Sequence, residues 1–223
     1  MKNLQKMGGI ASLYEAAAYL MGIVFFKLVL DFSGVIEPIQ MVALLVDNQS
    51  IMYAMNIAIY VVFGIFMVIL ALALYERLKD GSPAIARITT VFALIWACVV
   101  IASGMIYNTG IETITNLYHN NPAQAATVWL AISSVQEGIG GGNEILGGLW
   151  SLLVSLAALL SNQLPRFLNY LGLLIGTAGI LSAIPALGEA GGAIFGLGQI
   201  VWFIWLGIVM LRSTQNNHLD SVR

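Results

Sequence analysis

The chain has 223 residues, 59% of them hydrophobic and only 9% charged. Water-soluble domains carry about 25% charged residues, so this chain has too few to coat a water-facing surface. A net charge of −2, two histidines and the single Cys98 leave no basic stripe for nucleic acid, no disulfide framework and no Cys/His cluster with zinc spacing.

Six apolar segments lie at about 10–32, 51–75, 85–107, 142–161, 166–187 and 191–212, and a membrane-crossing helix needs roughly 20 such residues. Helices are expected rather than strands, because backbone groups in hydrocarbon must be satisfied within the segment. The expected fold class is all-α: a polytopic transmembrane helical bundle of six spans, one domain over 1–212, with a polar cytoplasmic tail over 213–223. The first span reads as a retained helix and not a cleavable signal. Its apolar stretch is long, contains Glu15 and lacks a small-residue cleavage site.

Between spans 1 and 2, Pro38 is followed by Ile39, Met41, Val42, Leu44, Leu45 and Val46, which predicts a short interfacial helix. Asp80-Gly81-Ser82-Pro83 supplies a tight turn after span 2. Residues 123–137 predict a second outer helix carrying Val128, Trp129 and Ile132, and Gly138-Ile139-Gly140-Gly141-Gly142 follows it. Span 4 is then either one long helix broken by glycine or a crossing helix hinged to a cap helix. Both place irregular backbone where it must line water or protein. Asn162-Gln163-Leu164-Pro165 turns the chain into span 5, with Pro165 suited to a first helical turn. Ala18/Gly22, Gly172/Gly176 and Gly192/Gly196 are small-residue pairs four apart, the spacing that lets membrane helices approach closely. Three spans per half permit an inverted repeat. Beyond the placing of Glu15 and Glu144 near the starts of spans 1 and 4, the halves show no self-similarity.

Basic residues are retained in the cytoplasm. Lys2 and Lys6 precede span 1, Arg77, Lys79 and Arg87 frame the 2–3 loop, Arg166 lies in the 4–5 loop, and Arg212 and Arg223 follow span 6. The other loops hold Glu37, Asp47, Glu112, Glu137 and Glu189 and no Lys or Arg. The expected location is a prokaryotic plasma (inner) membrane with both termini cytoplasmic.

Ionisable residues inside a membrane are costly and mark candidate sites; here they are Glu15, Lys27, Asp31 and Glu144. Lys27 and Asp31 share a helix face. Either Lys27 snorkels to the interface and pairs with Asp31, or it meets Glu144 across the bundle. Asn56, Tyr107 and Asn143 lie at comparable depth, with Gln199 deeper. Together they outline a polar cavity open to the outer face and roofed by the two outer helices. Glu15 points away from Lys27 and shares its face with Tyr19. This second polar site either meets another span or keeps its carboxyl neutral and hydrogen-bonded. Tyr53, Tyr118 and Trp129 on one side, and Tyr75 and Tyr170 on the other, suit interface belts. Trp202 and Trp205 suit packing better than stacking on a flat ligand.

Three stretches stand out in the second half: Gly141-Gly142-Asn143-Glu144-Ile145-Leu146-Gly147-Gly148-Leu149-Trp150, Leu164-Pro165-Arg166-Phe167-Leu168-Asn169-Tyr170-Leu171-Gly172, and Trp202 to Arg212 (WFIWLGIVMLR). Over about residues 140–212 the chain resembles a prokaryotic family of small six-helix integral membrane proteins known only as a domain of unknown function. The opening GGIASLYEAAAYL extends the likeness to the first half. The resemblance implies the six-helix membrane fold and carries over no activity and no functional residue.

The expected function is binding or moving a small amphiphilic or lipid-like molecule in the outward cavity. Lys27, Asp31, Asn56, Tyr107, Asn143, Glu144, Gln199 and Trp202 are its candidate lining. The alternative is a non-catalytic accessory subunit packed against another membrane protein or a second copy. An enzyme using Glu15, Glu137 or Glu144 as acid or base is the weakest reading, since no span offers a His, a metal site or a nucleophile pair. No cofactor, metal or nucleic-acid partner is expected; the lipid bilayer is.

Overall fold

The computed structural model describes residues 2–30, 37–141 and 144–219, and among them there is no strand. The helices in chain order are α1 (Lys2–Val24), α2 (Pro38–Asp47), α3 (Gln49–Asn56), α4 (Phe63–Leu78), α5 (Pro83–Tyr118), α6 (Pro122–Gln136), α7 (Glu144–Ser161), α8 (Arg166–Leu181) and α9 (Gly188–Leu219). Wide π-helical turns follow α1 at Phe25–Val29, join α3 to α4 at Ile57–Val62 and follow α6 at Glu137–Gly141. Among the described residues five helices are long and apolar enough to cross a membrane: Asn3–Lys27, Gln49–Leu78, Pro83–Tyr118, Pro122–Ser161 and Pro185–Ser213.

The elements differ in extent from the apolar runs, for local reasons. The first helix begins at Lys2 and not near residue 10. Gln5 Nε2 donates to the Ala73 carbonyl at 2.6 Å, which holds the polar first turns in the fold. The third runs on to Tyr118, well past residue 107, because Asn108, Ile111 and Ile114 beyond it are buried. The fifth expected span stops early. α8 has 16 residues, about 24 Å at 1.5 Å per residue, against a hydrocarbon core of about 30 Å. Pro185 explains the stop: it pushes the preceding residue out of helical geometry, and Ile184 is extended (φ −86, ψ 119) before a short 3₁₀ turn, Pro185–Leu187. α9 continues through most of the expected tail to Leu219, and residues 220–223 lie outside the described residues.

Turn chemistry matches the sequence where it is specific. Asn162 sits at φ 53 in the turn before α8, a left-handed position that Asn tolerates better than most residues. Pro38 and Pro122 occupy first helical positions. The Asn121 side chain accepts from Gln124 N at 3.1 Å and caps α6. In the glycine run Gly140 leaves helical geometry (φ 157, ψ 19), so the irregular backbone falls there.

The chain divides into two compact units. The first comprises Met1–Tyr19, Ile65–Ala97 and Asn143–Arg223. Its core is aromatic: Trp96, Trp150, Trp202, Phe195 and Phe203 are all buried. α7 and α8 touch backbone to backbone. A Cβ on Gly148 would lie 2.7 Å from the Gly176 carbonyl oxygen, and one on Gly176 would lie 2.6 Å from the Gly148 oxygen. α1 and α9 meet in the same way through Gly9 and Gly207. Gly22 and Gly196 face open space, so only one of the three small-residue pairs is used throughout as a contact. At one end of this unit Arg77 donates through Nε to the Gln163 carbonyl at 3.1 Å and through Nη1 to Ser213 Oγ at 3.0 Å, tying three segments together.

The second unit comprises Leu20–Gly64 and Cys98–Gly142. Its core joins Phe25, Val42, Leu45 and Met52 to Ile111, Ile114, Ala125, Ala126 and Trp129. α6 folds back along α5 because Gly110 leaves room for Ile132 and Trp129. Two polar contacts fix the register. Asn56 Nδ2 donates to Asn108 Oδ1 at 3.0 Å. Ser103 Oγ donates to the Gln136 carbonyl at 3.0 Å and lies 2.8 Å from Gln136 Nε2, which donates back to it.

Candidate functional site

A cavity of about 400 Å³ opens within the second unit. The first π-helical turn contributes Phe26, the start of α2 contributes Glu37, Pro38 and Met41, and α5 contributes Tyr107. α6 and the turn after it supply Trp129, Leu130, Ser133, Gln136 and Glu137. Two of the three π-helical turns therefore place a side chain in its wall, and such insertions often mark functional sites in helices.

The lining is fixed from behind. The Tyr107 and Trp129 rings meet edge to face, with centroids 5.0 Å apart and planes at 85°. Gln136 is held by Ser103. Glu37 and Glu137 stand exposed at the rim. Among the described residues Lys79 and Glu76 form an ion pair at 2.7 Å, and neither lines the cavity. The cavity thus combines an aromatic corner, an apolar wall of Pro38, Met41 and Leu130, and two carboxylates without a described basic partner.

The residues expected to form one site divide between the two units. Lys27, Asn56 and Tyr107 belong to the second, and Glu144, Gln199 and Trp202 to the first. Tyr107 lines the cavity. Lys27 is exposed on its π-helical turn, and Asn56 is buried against Asn108. Gln199 is fully buried and donates to Ser151 Oγ at 2.6 Å. Trp202 is also fully buried and donates to the Leu168 carbonyl at 3.2 Å. Glu144 opens α7, half-buried. Asp31 and Asn143 lie outside the described residues.

Glu15 and Tyr19 lie on one face of α1 in the first unit, with Ser12 one turn before. Ser12 Oγ donates to the Phe203 carbonyl at 2.6 Å, and the Tyr19 ring stands 6.2 Å from that of Phe203. Between them Glu15 is fully buried, and neither carboxyl oxygen has a hydrogen-bond partner among the described residues. A buried polar group without a partner costs about 1–3 kcal/mol. Glu15→Leu is therefore expected to raise stability by about that amount, read by denaturant unfolding of the purified protein. A loss of stability would contradict the unpaired placement.

The sequence marks only part of the cavity wall. Trp129, expected in an interface belt, is instead buried in the core of its unit because α6 packs along α5. Met41 lies on the short helix expected after Pro38, one of the two expected to roof the cavity, whereas Phe26 carries no distinguishing signal. Glu137 and Gln136 have one: they immediately precede the glycine run that demands water or protein beside it, and Ser133 lies one turn earlier. Among the described residues no three His, Cys, Asp or Glu side chains are placed to hold a metal ion.

A protein-family model, the domain of unknown function DUF4386, matches residues 15–209. The chain belongs to this family. The match takes in α1 from Glu15 onward, the whole second unit and α9 as far as Ile208 and Val209. Comparison with curated proteins and with solved structures found no match. Membership in the DUF4386 family thus accompanies a helical fold with membrane-length apolar helices.

Proposed function

We propose that this DUF4386 protein binds or carries a small amphiphilic molecule in the cavity walled by α2, α5 and α6, from the outer face of a plasma membrane. In this reading the chain crosses six times with both ends cytoplasmic, and α8 serves as a short crossing. A short helix is accommodated by local thinning of the bilayer at modest cost. The distribution of Lys and Arg supports the orientation. It sets Glu37 and Glu137 on the outer side with the cavity they rim.

The cavity itself carries the proposal. Its volume, about 400 Å³, suits a small molecule, and ligand sites are typically apolar and aromatic with a few polar groups that orient the occupant. Phe26, Tyr107, Trp129, Met41 and Leu130 supply the first kind of surface, and Ser133, Gln136 and the two glutamates the second.

The test fills the cavity without removing packing. Ser133→Trp, purified into nanodiscs of an uncharged glycolipid, is expected to bind decyl-chain amphiphiles at least about tenfold more weakly than the parent protein. Calorimetry against empty nanodiscs reads the difference. Equal binding by the variant would overturn the proposal.

An accessory subunit is the second reading. It is favoured by Gly22 and Gly196, where a Cβ would meet nothing within 4 Å, leaving room for a neighbouring helix. A single monodisperse species without a co-purifying partner would count against it.

A further inference from the structure

We propose that the amphiphile bound in this cavity is positively charged: an ammonium head group on an alkyl chain. The inference rests on the cavity being a ligand site and adds the ligand's chemical class.

Three features of the lining point the same way. Among the described residues that line it are Glu37 and Glu137, and no Lys, Arg or His. Two carboxylates around one small cavity repel each other and any anion, and a cation between them relieves that repulsion. Glu37 takes part in a capping box with Gln40 at the start of α2, but among the described residues no basic side chain pairs with either carboxylate. Lys27, the basic residue nearest in sequence to the wall, is exposed, lies outside the lining and forms no ion pair with a described acid.

The second feature is aromatic. Phe26, Tyr107 and Trp129 surround the same space, and the last two form a right-angled corner. Ring faces attract a cation through the ring quadrupole, and several rings around one ammonium form the usual cage for methylated ammonium groups. A hard divalent ion such as Ca²⁺ or Mg²⁺ is held by a shell of oxygen ligands, which these rings do not supply.

The third is the apolar wall. Pro38, Met41 and Leu130 give an alkyl chain a surface continuous with the aromatic corner. The head and tail of one molecule thus find complementary surfaces inside a single cavity.

The test compares decyltrimethylammonium, decyl glucoside and decyl sulfate on the full chain in nanodiscs of an uncharged glycolipid. Calorimetry, corrected for partitioning into empty nanodiscs, gives each affinity. The ammonium compound is expected to bind at least about tenfold more tightly than the glucoside, with the sulfate weakest. In the doubly substituted Glu37→Gln, Glu137→Gln protein, the ratio of ammonium to glucoside affinity is expected to fall to near unity. Circular dichroism and elution volume establish that this variant keeps its fold. Both carboxylates are exposed, so amide replacements leave the buried packing intact. Two single variants, each expected to lose part of the ratio, serve if the double one does not purify. Equal affinity of all three compounds for the parent protein would overturn the cation preference and leave the cavity reading standing. Saturable binding of none would overturn both. A preference for the ammonium compound that survives the glutamine substitutions would show that the carboxylates do not set it.

Discussion

Replacing Gly176 by alanine is expected to cost about 2–3 kcal/mol of stability, whereas the same change at Gly196 is expected to gain about 0.5–1 kcal/mol. Both glycines sit inside helices, so the helix term is the same and favours alanine at each. The surroundings differ. At Gly176 the added methyl would lie 2.6 Å from the Gly148 carbonyl oxygen and 2.8 Å from Leu152 N, both backbone atoms that cannot rotate away. α7 and α8 must then separate, and their shared contacts loosen along the crossing. At Gly196 nothing stands within 4 Å of the added methyl. Denaturant titration of the two purified variants reads the difference. Similar effects at the two positions would mean that α7 and α8 do not touch backbone to backbone.

Trp150→Ala is expected to lose about 3–5 kcal/mol, the range for emptying a buried aromatic site. Trp150 is fully buried and central to the first unit. Its ring centroid lies 5.7 Å from that of Trp96, 5.6 Å from Trp202 and 6.1 Å from Phe203. Removing it strips one side from three other rings at once. Trp150→Phe is expected to cost much less, because the indole N–H has no acceptor among the described residues and no hydrogen bond is lost. The same unfolding titration checks both. An alanine variant as stable as the phenylalanine variant would show that the ring cluster contributes little.

These two results bear on why some features were legible in the sequence and others were not. Helix positions followed from apolar runs, and the turns at 80–83 and 162–165 followed from residues with strong local preferences. Helix ends did not, because they depend on tertiary contacts: Gln5 reaching Ala73 extends one helix, and Pro185 cuts another short. The glycine pairs show the same limit. Spacing identifies a small-residue face, but only the neighbour across it decides whether Gly176 or Gly196 is the one in contact. Gln199 and Trp202 are candidate lining by sequence because they are polar or aromatic at depth. In the fold Gln199 Nε2 donates to Ser151 Oγ and Trp202 Nε1 to the Leu168 carbonyl inside a core. The cavity wall was least accessible of all. It draws on a π-helical turn, the short helix α2 and a folded-back helix whose meeting no periodicity encodes.

Photoaffinity labelling tests the central claim most directly. An alkyl amphiphile bearing a diazirine is photolysed with the full chain in nanodiscs, with and without excess unlabelled compound, and the modified residues are mapped by mass spectrometry. The cavity account predicts competable labelling concentrated at 37–41 and 129–137 and at Tyr107, and its loss in Ser133→Trp. Labelling spread over the exposed faces of α8 and α9, or labelling at the cavity that excess compound does not displace, would contradict it.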